Sequence, residues 1–139
     1  MVVIWKRRDR RLRALLTESE GLAEQDFSGA RLVALDLRRK ALSGCNFEFA
    51  DLTEANLTEA DLRGANLHGA YLNGAVLAGA DLSRATLDES MLLGADLRDA
   101  QLQDATFDGA IWDQETFWPA QHAPEMGPVG MWRGRRRRG

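Results

Sequence analysis

The chain has 139 residues, enough for one domain with its own core, and 45% of them are hydrophobic. Its one cysteine excludes an internal disulfide framework, and its formal net charge at pH 7 is only −3. That small value hides a polarised chain: net +2 over residues 1–25, −9 over residues 26–118 and +4 over residues 119–139.

The N-terminal segment, residues 2–20, is predicted to be a helix or a strand followed by a helix. On a helix, one apolar stripe would hold Trp5, Leu12, Leu15 and Leu16. Gly21 is a suitable C-terminal stop. We expect the segment to cap the structure that follows, because the first layer of a repeat array exposes its core and its backbone edge. The alternative is a basic helix that binds nucleic acid or a membrane surface.

The first residues also bear on location. Apolar residues precede the basic ones, which is the reverse of a secretory signal, and no stretch approaches the length of a membrane span. We therefore expect a cytoplasmic protein that does not bind membranes.

A strict five-residue period begins at Phe27 and continues to Phe117. The central position of the unit is Leu in 14 of 19 cases, Phe in 4 and Trp in 1, and the position two before it is Ala in 13. A straight helix would smear these residues around its axis, since five residues rotate about 500°. A flat strand would send successive central residues to opposite faces. The period therefore predicts a short extended piece and a corner in every unit.

The last position of the unit supplies the corner. It is Gly in eight units, which favours a positive φ there, and we expect another turn type where it is not Gly. Asp or Asn precedes the central residue in many units, where its side chain can bond the turn backbone.

These features resemble the pentapeptide-repeat family, whose consensus is A(D/N)LXX, over residues 26–119. The resemblance implies an all-β fold, a right-handed quadrilateral β-helix with four units per coil and about 4.5–5 coils. The domains would be an N-terminal cap, probably helical, over residues 1–24, the β-helix over 25–119 and a flexible basic tail over 120–139. Phe27, Phe47 and Phe107 would then share one side of the coil and stack.

Two regions depart from the consensus. Leu35 and Lys40 occupy inward positions of the first coil that should hold Ala, so we expect a local distortion that lets Lys40 reach solvent. At the other end Glu115 would replace the last inward Ala. Trp112, Phe117 and Trp118 would then form a lid over the last coil.

No catalytic, cofactor-binding or metal-binding residues are predicted. The carboxylates follow the repeat, His68 and His122 are isolated, and Cys45 occupies an inward position as a small buried residue. No phosphate-binding loop or nucleophile motif occurs. We therefore expect a protein that is not an enzyme.

Residues twenty apart would stack in vertical columns. On one side this places an outward apolar strip of Tyr71, Met91, Leu93 and Ile111. Such a strip is typical of an interaction site, although the C-terminal tail could also fold back over it.

Three functions remain open at this point. The first is a non-catalytic interaction or scaffold module with an unknown protein partner. The second is a DNA mimic that inhibits a type II topoisomerase (gyrase), which the acidic rod would suit and which some members of the resembled family are. The third is nucleic-acid binding through the basic tail, whose arginines are Arg133, Arg135, Arg136, Arg137 and Arg138.

Overall fold

The computed structural model describes residues 10–19 and 21–122. Within them the helix α1 spans Arg10–Glu18, and no strand extends beyond an isolated bridge. Parallel bridges join residues twenty positions apart, from Gly21 with Ala41 up to Met91 with Ile111. Each layer of the solenoid therefore holds four five-residue units, whereas the handedness, the square cross-section and the domain limits at residues 24 and 119 stay predictions.

Backbone hydrogen bonds join each layer to the next. Leu52 donates its N–H to the Tyr71 carbonyl at 2.8 Å, and Tyr71 donates its own to the Ala50 carbonyl at 2.9 Å. Gly74, in a corner, donates to the Leu93 carbonyl at 2.8 Å. The same pattern recurs through the stack, so layers lie at roughly the 4.8 Å spacing of hydrogen-bonded strands.

Every corner residue from 24 to 109 has a positive φ. The eight glycines there have φ between 63° and 71°, and ten other residues at the same position have φ between 55° and 61°. The expectation of another turn type at the non-glycine corners is therefore wrong. A side chain in this left-handed region costs roughly 1 kcal/mol or more, which the interlayer hydrogen bonds offset.

The interior is the predicted column of Leu, Ala and Phe. Central residues such as Leu62, Leu72 and Leu82 are fully buried, and so is Cys45 in its inward position. Phe27 and Phe47 stack with ring centroids 5.3 Å apart. Phe107 belongs to the same column but does not join them, because the intervening layers carry leucine.

Helix α1 covers part of the first layer. Leu12 and Leu16 are buried in the core, and the Arg13 guanidinium donates to the Val33 carbonyl at 3.2 Å. Trp5, predicted to share their stripe, lies outside the described residues. No helix in the described ranges has the length and the apolar composition that crossing a bilayer requires.

Lys40 holds the end of this helix. Its Nζ donates to the carbonyls of Thr17 at 2.9 Å and Ser19 at 3.4 Å, next to the helix C-terminus, where a cation is favourable. The expected distortion at Lys40 is wrong, because the bridges at Asp36 and Ala41 keep the twenty-residue step. Lys40 stays half-buried because its charge meets helix carbonyls rather than bulk water.

The last turn contains one extra residue. Asp96 bridges Phe117, twenty-one positions away, whereas every earlier bridge spans twenty. The prediction that Glu115 takes the inward position is therefore wrong: Glu115 is exposed, and Thr116 is buried there. Phe117 consequently points outward with 52% of its surface exposed, instead of serving in the lid.

Trp112 and Trp118 form the aromatic end of the solenoid. The sequence predicted that Phe117 would be part of it as well. The two tryptophan rings meet edge to face with centroids 5.4 Å apart, and Trp118 also meets Phe107 at 5.3 Å. Thr116 fixes this turn, since its hydroxyl donates to the Leu92 carbonyl at 2.8 Å and accepts from the Asp113 N–H at 3.1 Å.

Candidate functional site

The four residues of the predicted apolar strip lie together in one column of units. Bridges join Tyr71 to Met91 and Met91 to Ile111, so the three side chains project from successive layers. Tyr71 is 44% exposed and Ile111 40%, while Met91 and Leu93 are half-buried. The structure thus brings the predicted residues together, and their role in binding stays a prediction.

Phe49 enlarges this apolar surface and was missed by the sequence reading. It occupies a corner with φ 55°, and 55% of its surface is exposed. Its ring lies over Gly69 one layer away: a Cβ added to Gly69 would lie 2.3 Å from the ring. Since Gly69 precedes Tyr71 by two residues, the ring stands beside the strip. The sequence did contain a signal for this exposed ring: Phe49 is a bulky aromatic residue at the corner position that is glycine in eight other units.

We call these five residues the apolar corner: Phe49, Tyr71, Met91, Leu93 and Ile111. They include three of the four large hydrophobic residues that the described chain exposes. The fourth, Phe117, is partly covered, because the Arg98 guanidinium lies 4.9 Å from its ring centroid. The apolar corner is therefore the main exposed hydrophobic surface of the described solenoid.

The column of units that precedes the strip is acidic. It comprises residues 26–30, 46–50, 66–70, 86–90 and 106–110, and we call it the acidic column. Its carboxylates are Asp26, Glu48, Asp88, Glu89 and Asp108, and none of its positions is Lys or Arg. Within the described chain these carboxylates form no ion pair with Lys or Arg; Glu89 Oε2 lies 3.7 Å from His68 Nε2.

The column that follows the strip is neutralised. Its units, 36–40, 56–60, 76–80 and 96–100, hold four acidic and four basic residues. Arg38 bonds both carboxylate oxygens of Asp36 at 2.8 Å, and Arg98 bonds those of Asp96 at 2.9 and 2.7 Å. Positions two apart in an extended unit point to the same side, which permits these bidentate pairs. Acidic charge is thus unevenly distributed around the solenoid.

These pairs also remove carboxylates from acid–base chemistry. Hydrogen bonds from the Arg38 guanidinium lower the pKa of Asp36 to about 2, and Arg63 and Arg98 lower the pKa of Asp61 and Asp96 in the same way. A carboxylate with a depressed pKa is ionised at neutral pH and is a weak proton acceptor. No cluster of metal-binding side chains occurs within residues 10–19 and 21–122.

The Cys45 thiol is not available as a nucleophile. Its Sγ lies 2.9 Å from the Leu22 carbonyl, and burial raises the pKa of its thiol to about 11. We expect iodoacetamide at pH 8 to leave the folded protein unmodified over hours and to alkylate Cys45 completely in 6 M guanidinium chloride. Mass spectrometry measures both. Rapid alkylation of the folded chain, at the rate of the denatured one, would contradict the burial of this thiol.

A shallow groove lies between the end of α1 and the neutralised column. Its basic side chains are Arg38, Arg39 and Lys40, a grouping that could attract an anion. Each already has a partner: Arg38 binds Asp36, Arg39 binds Glu59 at 2.8 Å, and Lys40 binds the helix carbonyls. The groove is therefore a set of internal contacts rather than a ligand site. The arginines of the predicted basic tail, 133 and 135–138, lie outside the described residues.

The repeat sequence of this chain is similar to that of known proteins. A family model of pentapeptide repeats matches residues 41–79 and 75–111, in 8 copies. Among solved structures, a pentapeptide repeat protein from the Arabidopsis thaliana thylakoid lumen is 31% identical over 66% of this chain and 63% of its own, with a TM-score of 0.49. One from Nostoc PCC 7120 is 37% identical over 70% of this chain and 77% of its own, with a TM-score of 0.37.

A third solved structure is QnrB1, a plasmid-mediated fluoroquinolone resistance protein. It is 21% identical over 68% of this chain and 63% of its own, with a TM-score of 0.33, a likeness that concerns the fold alone. The chain spans less than two thirds of the length of this protein and of the Arabidopsis protein. No curated protein matches the chain.

Proposed function

Because the chain belongs to the pentapeptide-repeat family, we propose that it is a non-catalytic module that binds another protein through the apolar corner. The observation that carries this proposal is the alignment of Tyr71, Met91 and Ile111 in successive layers, with apolar surface open to solvent. Exposed apolar surface of this kind usually marks an interaction site. The proposal includes a right-handed quadrilateral β-helix as the rigid support and a cytoplasmic location.

The rigidity of the support favours recognition over chemistry. Inward positions are filled by Leu and Ala, and the outward positions of the corner belong to a backbone whose hydrogen bonds run layer to layer. A partner therefore meets a surface that is already in place, so little conformational entropy is lost on that side of the interface. Enzyme activity has no support from the described groove, the cysteine or the carboxylates.

We expect the double substitution Met91→Glu and Ile111→Glu to weaken partner capture at least tenfold, because two charges would have to be desolvated in the interface. The measurement is quantitative mass spectrometry of proteins retained by the immobilised full chain, with sedimentation velocity for self-association. The matched control, Ala78→Glu with Gln103→Glu, adds the same charge to outward positions of other columns and should change neither. Equal capture by the two variants would exclude the apolar corner as the binding surface.

The second candidate is a DNA-mimicking inhibitor of a type II topoisomerase, and the acidic column is the observation that favours it. The neutralised column weighs against it, since a mimic of duplex DNA needs negative charge along much of its surface. We expect no inhibition of gyrase supercoiling at a hundredfold molar excess of the full chain. Inhibition at stoichiometric amounts would replace the first proposal with this one. Nucleic-acid binding through the tail arginines ranks third and depends on residues outside the described ranges.

A further inference from the structure

The apolar corner contains an aromatic ring at a corner position of the backbone. Phe49 has φ 55°, as nine other non-glycine corners do within a few degrees, but it is the one among them with a large apolar side chain, and 55% of its surface is exposed. Its edge-to-face contact with His68, at a centroid distance of 5.6 Å, leaves ring surface open. A large apolar ring placed where the other corners carry small or charged residues directs attention to what it could contact.

Carboxylates lie in the column of this ring and in the neighbouring column of the strip. The acidic column supplies Glu48 directly before Phe49, Asp88 and Glu89 two layers away and Asp108 three layers away. On the strip's own column, Asp51 and Glu54 lie in the layer of Phe49, and Arg31 lies one layer before them, bridged to Asp51. The described chain pairs none of these carboxylates with Lys or Arg; Glu89 meets only His68. A cationic partner would therefore be drawn to this surface and an acidic one repelled.

The solenoid shows in another column how such a surface is completed. Arg98 lies over the Phe117 ring, 4.9 Å from its centroid, while its Nε and Nη2 both donate hydrogen bonds to the Asp96 carboxylate. Aromatic ring, guanidinium and carboxylate together form a compact unit, because guanidinium stacks on a ring and binds a carboxylate with two parallel hydrogen bonds. At Phe49 the ring and the carboxylates are present, and among the described residues no guanidinium lies over the ring.

We propose that the apolar corner docks an arginine-rich segment of a partner protein, with guanidinium groups on Phe49 and the acidic column and an apolar side chain against Tyr71, Met91 and Ile111. The inference rests on the proposed function and adds the chemistry of the partner to it. Arginine is favoured over lysine, since a compact ammonium does not stack on a ring or bind a carboxylate in a bidentate manner.

The test is a selection of random 12-residue peptides displayed on phage, against the immobilised full chain. We expect at least a threefold enrichment of arginine over the unselected library, with an aromatic or aliphatic residue nearby. Fluorescence anisotropy of the best peptide then gives its affinity. Phe49→Ala and the triple substitution Glu48→Gln, Asp88→Asn, Asp108→Asn should each weaken it about tenfold, and the triple variant should also flatten its salt dependence.

The matched control neutralises three carboxylates elsewhere: Glu24→Gln, Asp99→Asn and Asp104→Asn. It changes the net charge equally and should leave the affinity within twofold. Peptides that depend on Met91 and Ile111 but are not enriched in arginine would overturn the inference and leave the proposed function standing. Peptide binding that is unaffected by substitutions at Met91 and Ile111, and also by those at Phe49 and the carboxylates, would overturn both the inference and the proposed function.

The apolar corner could also be occupied by the C-terminal arginines of this same chain. One further experiment distinguishes them from a separate partner. In the full chain, Arg133, Arg135, Arg136, Arg137 and Arg138 are replaced by Gln and the selected peptide is titrated again. Unchanged affinity supports a separate partner. An affinity that rises at least tenfold after this replacement would show that the C-terminal segment itself competes for the corner, and would overturn the assignment to a partner.

Discussion

Replacing Leu72 with aspartate is expected to abolish the folded state at 37 °C, or to lower the free energy of unfolding by more than about 4 kcal/mol. Leu72 is fully buried near the middle of the stack, with the central leucines 52 and 92 one layer away on either side. An unpaired carboxylate there must be desolvated or protonated, and the packing of the leucine side chain is lost as well. Urea unfolding followed by circular dichroism measures the change.

The control for this substitution is its outward neighbour, Asn73→Asp. It introduces the same charge one residue along the chain, and the side-chain oxygen that accepts the Leu93 N–H at 3.2 Å is retained. We expect this variant to lie within about 0.5 kcal/mol of the parent protein. Similar stability of the two variants would contradict the inward orientation of Leu72 and with it the solenoid interior.

Thr116→Val is expected to cost about 2 kcal/mol and to loosen the aromatic end of the solenoid. The substitution preserves shape but removes the hydroxyl that donates to the Leu92 carbonyl and accepts from the Asp113 N–H. The Leu92 carbonyl would keep its hydrogen bond from the Ala95 N–H at 3.0 Å, whereas the partly buried Asp113 N–H would lose the Thr116 hydroxyl, a loss that costs about 1–3 kcal/mol. Urea unfolding gives the stability, and tryptophan emission, recorded with Trp5 and Trp132 replaced by Phe, reports Trp112 and Trp118 moving toward water.

Thr106→Val is the matched control, because Thr106 points outward from the last layer and is exposed. It should change stability by less than about 0.5 kcal/mol and leave the emission maximum in place. If Thr116→Val behaves like this control, the six-residue closing turn does not depend on the Thr116 hydroxyl.

Residues twenty apart in the sequence are neighbours on the surface of the solenoid, because they lie in successive layers. An interaction site can therefore consist of one outward residue from each layer of a column. The apolar corner has this form: Phe49, Tyr71, Met91 and Ile111 come from four successive layers. Each can be substituted without touching the core, which makes the proposed interface open to residue-by-residue mutation.

The five-residue period by itself determined most of the fold. The inward Leu and Ala positions and the glycine corners follow from it. The stack of Phe27 on Phe47 and the alignment of Tyr71, Met91 and Ile111 also need four units per layer, which the resemblance to the pentapeptide-repeat family implied. The reason is that each unit must bury the same two positions and turn the same corner, so local pattern and global structure coincide.

Only the tertiary structure decided the exceptions, because each depends on a contact between units that the period does not specify. Lys40 stays half-buried because helix α1 brings carbonyl groups to its ammonium. The extra residue of the last turn places Thr116, not Glu115, inside, where its hydroxyl donates to the Leu92 carbonyl. Phe49 joins the apolar corner because Gly69, one layer away, leaves room for its ring, and charge separates into acidic and neutral columns because particular arginines reach particular aspartates.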